Sequence, residues 1–326
     1  MPDGLPATLR STDALLRAGL VRPEDAAALR AVEARYAVAV PPAFQALIAA
    51  PADPIARQVI PHPDEAVTAP HELEDPTADA AWSPLPGLVH RYADRVLIKP
   101  LLICPLYCRF CFRREHVGPD GGLLTEAQLE AALDYVRARP AIREVILTGG
   151  DPLMLSTRRL GGLLRQLDGI AHIEHLRIHT RVPVAAPERV AGELLGALET
   201  DKPLFMAVHA NHAREFGPAA GQALRALSRA GISLLGQSVL LRGVNDTEQA
   251  LEDLFRAMLR HRVKPYYLHQ LDPAPGTARF HVPEAEGLAL LAGLRFRVTG
   301  LAWPIYVRER PGGSGKVPLG PAAPDF

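Results

Sequence analysis

Cysteine is almost absent from this 326-residue sequence: there are three, all within residues 104–111. An odd number packed this closely argues against a disulfide framework. In a reducing compartment such a cluster points to metal binding or redox chemistry. An excess of either charge is also missing. Lys+Arg and Asp+Glu both total 36, for a formal net charge of zero, which speaks against a nucleic-acid groove or an anionic membrane surface as partner. No stretch reaches the roughly 18 uncharged apolar residues that span a bilayer. The Met-Pro-Asp start lacks a basic region followed by an apolar one, so no secretory signal is expected. These absences predict a soluble, cytoplasmic protein, long enough to bury a large core in one large domain or two small ones.

The texture of the chain changes twice. Residues 1–88 are rich in Ala, Pro and charge. Helical spacing over 12–36 marks Leu15, Leu16, Leu20, Ala26 and Leu29 for burial, and Pro41, Pro42, Pro51, Pro54, Pro61 and Pro63 then interrupt it repeatedly. This part is expected to be a helical and wrapping extension. Residues 89–275 alternate short apolar runs with amphipathic segments. Candidate strands are 96–103, 144–151, 175–181, 204–210, 233–241 and 265–272, and their uninterrupted apolar character suits strands buried on both faces. Thr125 with Gln128 resembles a capping box, followed by Leu129, Leu133 and Val136 at helical spacing. Six βα units predict an α/β fold with a parallel sheet and right-handed crossovers. Their number favours an incomplete (β/α)6, TIM-like barrel, although counting strands does not exclude a flat sheet. Residues 276–326 form a C-terminal segment with a helix near 283–294, an apolar stretch 301–307 and a Gly-rich loop 311–316.

The three cysteines make a C-x3-C-x2-C motif, Cys104, Cys108 and Cys111, directly after the first candidate strand. In a parallel βα fold that is the carboxyl end of the sheet, where active sites form. Three thiolates can ligate three irons of a cubane and leave the fourth iron open, whereas an electron carrier would normally close the cluster with a fourth cysteine. The alternative is a structural zinc site completed by a histidine such as His116. With Phe110 before the third cysteine, the motif resembles the radical S-adenosylmethionine (SAM) superfamily. Gly149, Gly150 and Asp151, at the end of the second candidate strand, match the turn that holds the SAM amino group in that superfamily. A Gly-Gly pair alone would be read as a tight turn.

The resemblance extends over nearly the whole chain beyond residue 88 and narrows to the lysine 2,3-aminomutase family. It rests on Arg91 and Arg95 before the cysteines, Arg113 and Arg114 after them, a Tyr266–Asp272 stretch closing the sixth candidate strand, and Lys316 in a Gly-rich loop. By this resemblance Lys316 forms a Schiff base with pyridoxal 5′-phosphate (PLP), and Arg91 and Arg95 hold the phosphate. Forked guanidinium donors and a lysine flanked by glycine suit those tasks. By composition alone Lys316 would be a solvated loop lysine. A P-loop is excluded, because Arg310 stands at the first glycine position and Val317 where Ser/Thr should bind magnesium.

The resemblance further implies that Arg113 clamps the substrate carboxylate, that Asp272 and Glu309 receive the distal ammonium of L-lysine, and that Gln237 lines the SAM or PLP pocket. The family's free-lysine enzymes carry aspartate at the second acidic position. Glutamate there, with no cysteine after Cys111, is more like the enzymes that make β-lysine for elongation factor P. Asp272 and Glu309 could otherwise be surface or capping carboxylates. Two carboxylates would repel an acidic substrate. His209 and His212 form an H-x2-H, read as pocket or packing residues. The implied partners are L-lysine and an external electron donor of flavodoxin or ferredoxin type, with a possible homo-oligomer and neither nucleic acid nor membrane. Two rivals remain: an aminomutase acting on arginine or ornithine, and a non-catalytic, metal-stabilised binding protein.

Overall fold

The computed structural model describes residues 7–310, 312 and 315–320. Among them, nine strands form one sheet in sequence order: β1 Leu88–Tyr92, β2 Arg95–Leu101, β3 Glu144–Gly149, β4 His175–Thr180, β5 Leu204–His209, β6 Ser233–Val239, β7 Lys264–His269, β8 Ile305–Glu309 and β9 Lys316–Pro318. Strands β2 to β8 pair in parallel, while β1 and β9 add antiparallel edges. The result is the expected α/β half-barrel, extended by one parallel strand and two hairpins. None of β1, β8 and β9 had been anticipated as a strand. The apolar stretch 301–307 contributes β8 at its far end, and of the loop 311–316, Pro311, Gly313 and Ser314 lie outside the described residues.

The strands are not buried alike on both faces, which corrects the expectation from their apolar runs. In β4, Leu176, Ile178 and Thr180 are buried, whereas Arg177 and His179 line the concave side. In β3, Glu144, Ile146 and Thr148 line the concave side, and Val145 and Leu147 enter the main core. This period-two division places apolar side chains against the outer helices and polar ones in the lumen. Each candidate strand also ends one to three residues early, so Ile103, Asp151, Arg181, Ala210, Leu241 and Asp272 leave the ladder. Those residues shape the rim of the barrel.

The helices follow local rules. Glu126–Arg137 begins with the expected capping box of Thr125 and Gln128 and buries Leu133 and Val136. Thr157–Asp168 starts on the Ser156 hydroxyl. The helical spacing over 12–36 is split into Thr12–Arg17 and Ala26–Arg35, with Gly19 at φ +68° ending the first helix. Leu15, Ala26 and Leu29 are buried, and Leu16 and Leu20 are half-buried. No described helix is long and apolar enough to cross a membrane.

The N-terminal residues pack onto the cysteine loop. Leu15, Val40, Phe44, Ile55 and Val59 share a core with Leu106. Below that core sits Glu65, fully buried, whose carboxylate receives Arg109 Nε at 2.9 Å, Arg279 Nη2 at 3.3 Å and Arg114. Burial alone would raise the Glu65 carboxyl, but the three guanidinium groups outweigh it and hold it below its ordinary value. Removing the acid leaves three buried cations without a counter-charge. Glu65→Ala should therefore lower unfolding stability by about 3–5 kcal/mol, read as a fall in the denaturant midpoint of the purified protein.

Candidate active site

One cavity of about 540 Å³ opens at the carboxyl ends of the parallel strands. All thirteen residues singled out from the sequence line it: Arg91, Arg95, Cys104, Cys108, Cys111, Arg113, Gly149, Gly150, Asp151, Gln237, Asp272, Glu309 and Lys316. Their sequence positions span 226 residues, so only the fold brings them together.

Cys104, Cys108 and Cys111 are free thiols at the end of β2. Burial pushes the Cys111 thiol up to about 11, with Cys108 adding to it. Cys104 rises well above its ordinary value through burial, Asp151, Cys111 and Cys108. A group of thiols that oppose one another's ionisation calls for a cation to stabilise the thiolates, so the three fit an iron cluster. Among the described residues, no group of three His, Cys, Asp or Glu side chains is gathered to hold a single metal ion. His116, the candidate fourth zinc ligand, is exposed. Arg181 Nη1 donates to Cys108 Sγ at 2.8 Å, and its Nη2 donates to Gln58 Oε1 at 2.6 Å and Glu215 Oε2 at 3.0 Å. Sequence reasoning did not find this arginine. It stands one residue beyond β4, where its neighbours in the chain give no sign of a cysteine partner 73 residues away.

The glycine pair has a stricter reason than a turn. Gly149 has φ +113°, and a Cβ there would meet Leu101 O at 2.6 Å; at Gly150 it would meet Ile103 N at 2.6 Å. Both glycines lie against the backbone leading into Cys104, which only hydrogen side chains allow. The Asp151 carboxylate is engaged by Thr180 Oγ1 at 2.7 Å and by the backbone N–H groups of Arg181 at 2.7 Å, Leu153 at 3.1 Å and Val182 at 3.2 Å. It thereby ties β3 to β4 behind the glycines. Gln237, on β6, lines the cavity beside His209 of β5, its register partner.

The cavity is also lined by an ion-pair chain. Lys316 Nζ donates to Glu309 Oε1 at 2.6 Å, and Arg91 Nη1 donates to Glu309 Oε2 at 2.9 Å. The Lys316 backbone N–H donates to Tyr92 Oη at 2.7 Å. Arg91 Nη2 reaches Thr77 O, while its Nε is buried without a partner. Arg95 pairs with Asp94 at 2.9 Å and lies 3.6 Å from the centre of the Tyr92 ring. A primary amine, two guanidinium groups and an unsatisfied buried donor in one cavity suit a phosphorylated aldehyde such as PLP. His179, on β4, also lines this part, with its Nε2 buried and unpartnered. Burial, then Arg177 and Lys316, keep its pKa well below the ordinary value. His269 is pushed down to about 3 by burial and Lys316, so it too is neutral near pH 7. His212, by contrast, caps a short turn through Nδ1, accepting from Arg214 N at 3.2 Å.

Asp272 lines the same cavity. Burial and the neighbouring Glu309 push its carboxyl up to about 7, against the opposing pull of Lys316 and Arg113. A group with its folded pKa raised binds a proton that the unfolded chain has already released. Stability should therefore fall as pH rises from about 4 to 7, while affinity for an ammonium-bearing ligand should rise across the upper part of that range. Asp272→Asn should flatten both profiles, measured by thermal unfolding and ligand titration between pH 5 and 8.

The Radical SAM superfamily model matches residues 98–255. The L-lysine 2,3-aminomutase of Clostridium subterminale is 39% identical over 271 residues, covering 83% of this chain and 65% of that protein. The chain thus spans just under two thirds of that relative's length. The L-lysine 2,3-aminomutase of Escherichia coli is 40% identical over 270 residues, covering 82% of this chain and 78% of the relative. The solved structure of SuiB from Streptococcus suis superposes with a TM-score of 0.50 at 12% identity, over 67% of this chain and 49% of that one, a likeness of fold alone. Identity near 40% over more than four fifths of the chain, on a half-barrel with three thiols at its rim, places the protein in the lysine 2,3-aminomutase family of the radical SAM superfamily.

Proposed function

We propose that this chain is an L-lysine 2,3-aminomutase, moving the α-amino group of L-lysine to the adjacent carbon to give β-lysine. The observation that carries the reading is one cavity lined both by the three thiols and by the Lys316–Glu309–Arg91 chain. When bound, a [4Fe–4S] cluster with SAM supplies a carbon radical, and PLP supplies an imine through which nitrogen can pass between neighbouring carbons.

The chain's own residues divide the remaining work. Cys104, Cys108 and Cys111 ligate iron. Gly149 and Gly150 present backbone carbonyls to the SAM amino group, Asp151 braces that turn, and Gln237 lines the same pocket. Lys316 is the covalent anchor for PLP, with Arg91 and Arg95 on its phosphate. Arg113 binds the substrate carboxylate. Asp272 and Glu309 receive the distal ammonium, which selects lysine over acidic amino acids. Holding the substrate at both ends aims its β-carbon and limits quenching by water. In this reading residues 1–88 are an extension that braces the barrel of residues 89–275, and residues 276–326 deliver the lysine.

The electron comes from a flavodoxin- or ferredoxin-type donor. Glutamate at position 309 supports the finer reading that the β-lysine serves modification of elongation factor P. The test is anaerobic incubation of reconstituted protein with SAM, PLP, dithionite and L-lysine, followed by mass-resolved chromatography. β-Lysine formation is the expected result. Formation of 5′-deoxyadenosine alone would move the substrate to another amino acid, with arginine and ornithine next. With neither product from cluster-loaded protein, the catalytic reading fails. Transfer of the product to elongation factor P is checked by a mass increase on that factor in the presence of a ligating enzyme.

A further inference from the structure

Thr77 and Asp79, from the N-terminal extension, line the cavity, and Asp79 brings a charge into it. Its backbone N–H, with that of Ala80, is held by the Asp75 carboxylate at 2.9 Å each, and its carbonyl accepts from Ser83 Oγ at 2.7 Å. The backbone is thus fixed from three sides. The Asp79 side chain is 15% exposed and faces three cations: Arg113 Nη2 at 2.8 Å, Lys99 Nζ at 3.3 Å and Arg91 Nη2 at 4.0 Å. Burial would raise its carboxyl, but Arg113 and Lys99 hold it far below the usual carboxylate range, so it is ionised near pH 7.

The contact with Arg113 is one-edged. Nε and Nη2 both donate to Asp79 Oδ2, at 3.2 and 2.8 Å, while Nη1 has no hydrogen-bond partner among the described residues. A guanidinium pinned along one edge cannot rotate freely about its long stem, and the unused donors point in a set direction. Arg91 is shared with Glu309, so Asp79 stands against two cations of its own, Arg113 and Lys99, leaving net positive charge for an incoming anion.

We propose that Asp79 is a positioning residue for the substrate carboxylate: it pins one edge of Arg113 so that the other edge, backed by Lys99, accepts the carboxylate of an amino acid. This rests on the reading of Arg113 given above. It adds that the specificity of the barrel depends on a side chain delivered from outside it. The consequence is a preference for the free amino acid over its carboxamide, which presents no anion to the guanidinium.

The test is calorimetric titration of the cluster- and PLP-loaded protein with L-lysine and with L-lysinamide, in the wild type, Asp79→Ala, Asp79→Asn and Asp79→Glu, together with kcat and KM for lysine conversion. The expected result is a wild type that prefers lysine over the amide by tenfold or more. That preference should be lost in Asp79→Ala and Asp79→Asn and largely restored in Asp79→Glu. KM should rise by about tenfold in the two neutral variants, with kcat within about threefold and iron content unchanged. Asn keeps the volume should Ala fail to fold. A full preference in either neutral variant overturns the proposal, as does a fall in kcat and iron content with KM unchanged. If the wild type binds lysine with this preference yet makes no β-lysine, the proposed reaction fails while the role of Asp79 stands. A wild type without the preference overturns the role of Asp79 even if β-lysine is made.

Discussion

Lys316→Ala is expected to lower β-lysine formation by about a thousandfold or more while leaving the iron content and the cleavage of SAM to 5′-deoxyadenosine in place. The amine sits on β9 against Glu309 and has no contact with a cysteine among the described residues. Removing it takes the covalent anchor from PLP without touching the thiols. Reduction with borohydride makes the distinction directly: wild type should retain one PLP per chain through denaturing gel filtration, and the variant none. Retention of PLP by the variant would mean another lysine is the anchor. The variant also frees Glu309 from one of its two cations, with Arg91 remaining at 2.9 Å. Added alkylamines can occupy the vacated space, and partial recovery with ethylamine would fit an amine needed for exchange of the bound substrate.

Cys111→Ser should have an equally large effect on the other half of the site. A serine hydroxyl is close in shape but does not ionise to a soft ligand, so the cluster should be lost or reduced in nuclearity. Iron per chain, the broad visible absorption after reconstitution and SAM cleavage should all fall to background, while PLP binding through Lys316 persists. The three thiols are buried to similar extents and belong to one loop, so serine at Cys104 or Cys108 should give the same pattern. A variant that keeps full iron and SAM cleavage would remove that cysteine from the ligand set. The paired outcomes matter more than either alone, because they separate the two cofactor sites within one cavity.

Much of this arrangement could be read from the sequence because its signals are local. The cysteine spacing, the Gly149–Gly150 pair and the capping box at Thr125 each lie within a few residues, and six parallel strands were recognisable as apolar runs. The missing parts depend on distant partners. Strands β1 and β9 are short edges whose pairing decides their conformation, and β8 was hidden in a stretch with no clear alternation. The polar lumen face was missed because Arg177, His179 and Glu144 look like breaks in an apolar run until the curl of the sheet gives them a side. Asp79 lies in a segment without periodicity, and its partner Arg113 is 34 residues away. Glu65 gives no local hint that three arginines from two other regions will close around it. Charges paired over such separations are settled by topology, and composition carries no trace of them.

The edges of the sheet carry one more implication. Strand β1 begins the barrel and β9 ends it, and among the described residues no backbone pairing joins them. They meet instead through side chains of β1: Tyr92 Oη receives the backbone N–H of Lys316 on β9, and Arg91 reaches Glu309 on the neighbouring β8. The barrel is therefore closed by a clasp, not by a seam. Tyr92 is also packed against Gly315, so this closure rests on local contacts and not on ladder hydrogen bonds. Three of its four residues, Arg91, Glu309 and Lys316, are ones assigned to hold PLP or the distal end of lysine, so the strength of the closure would change with what the cavity holds.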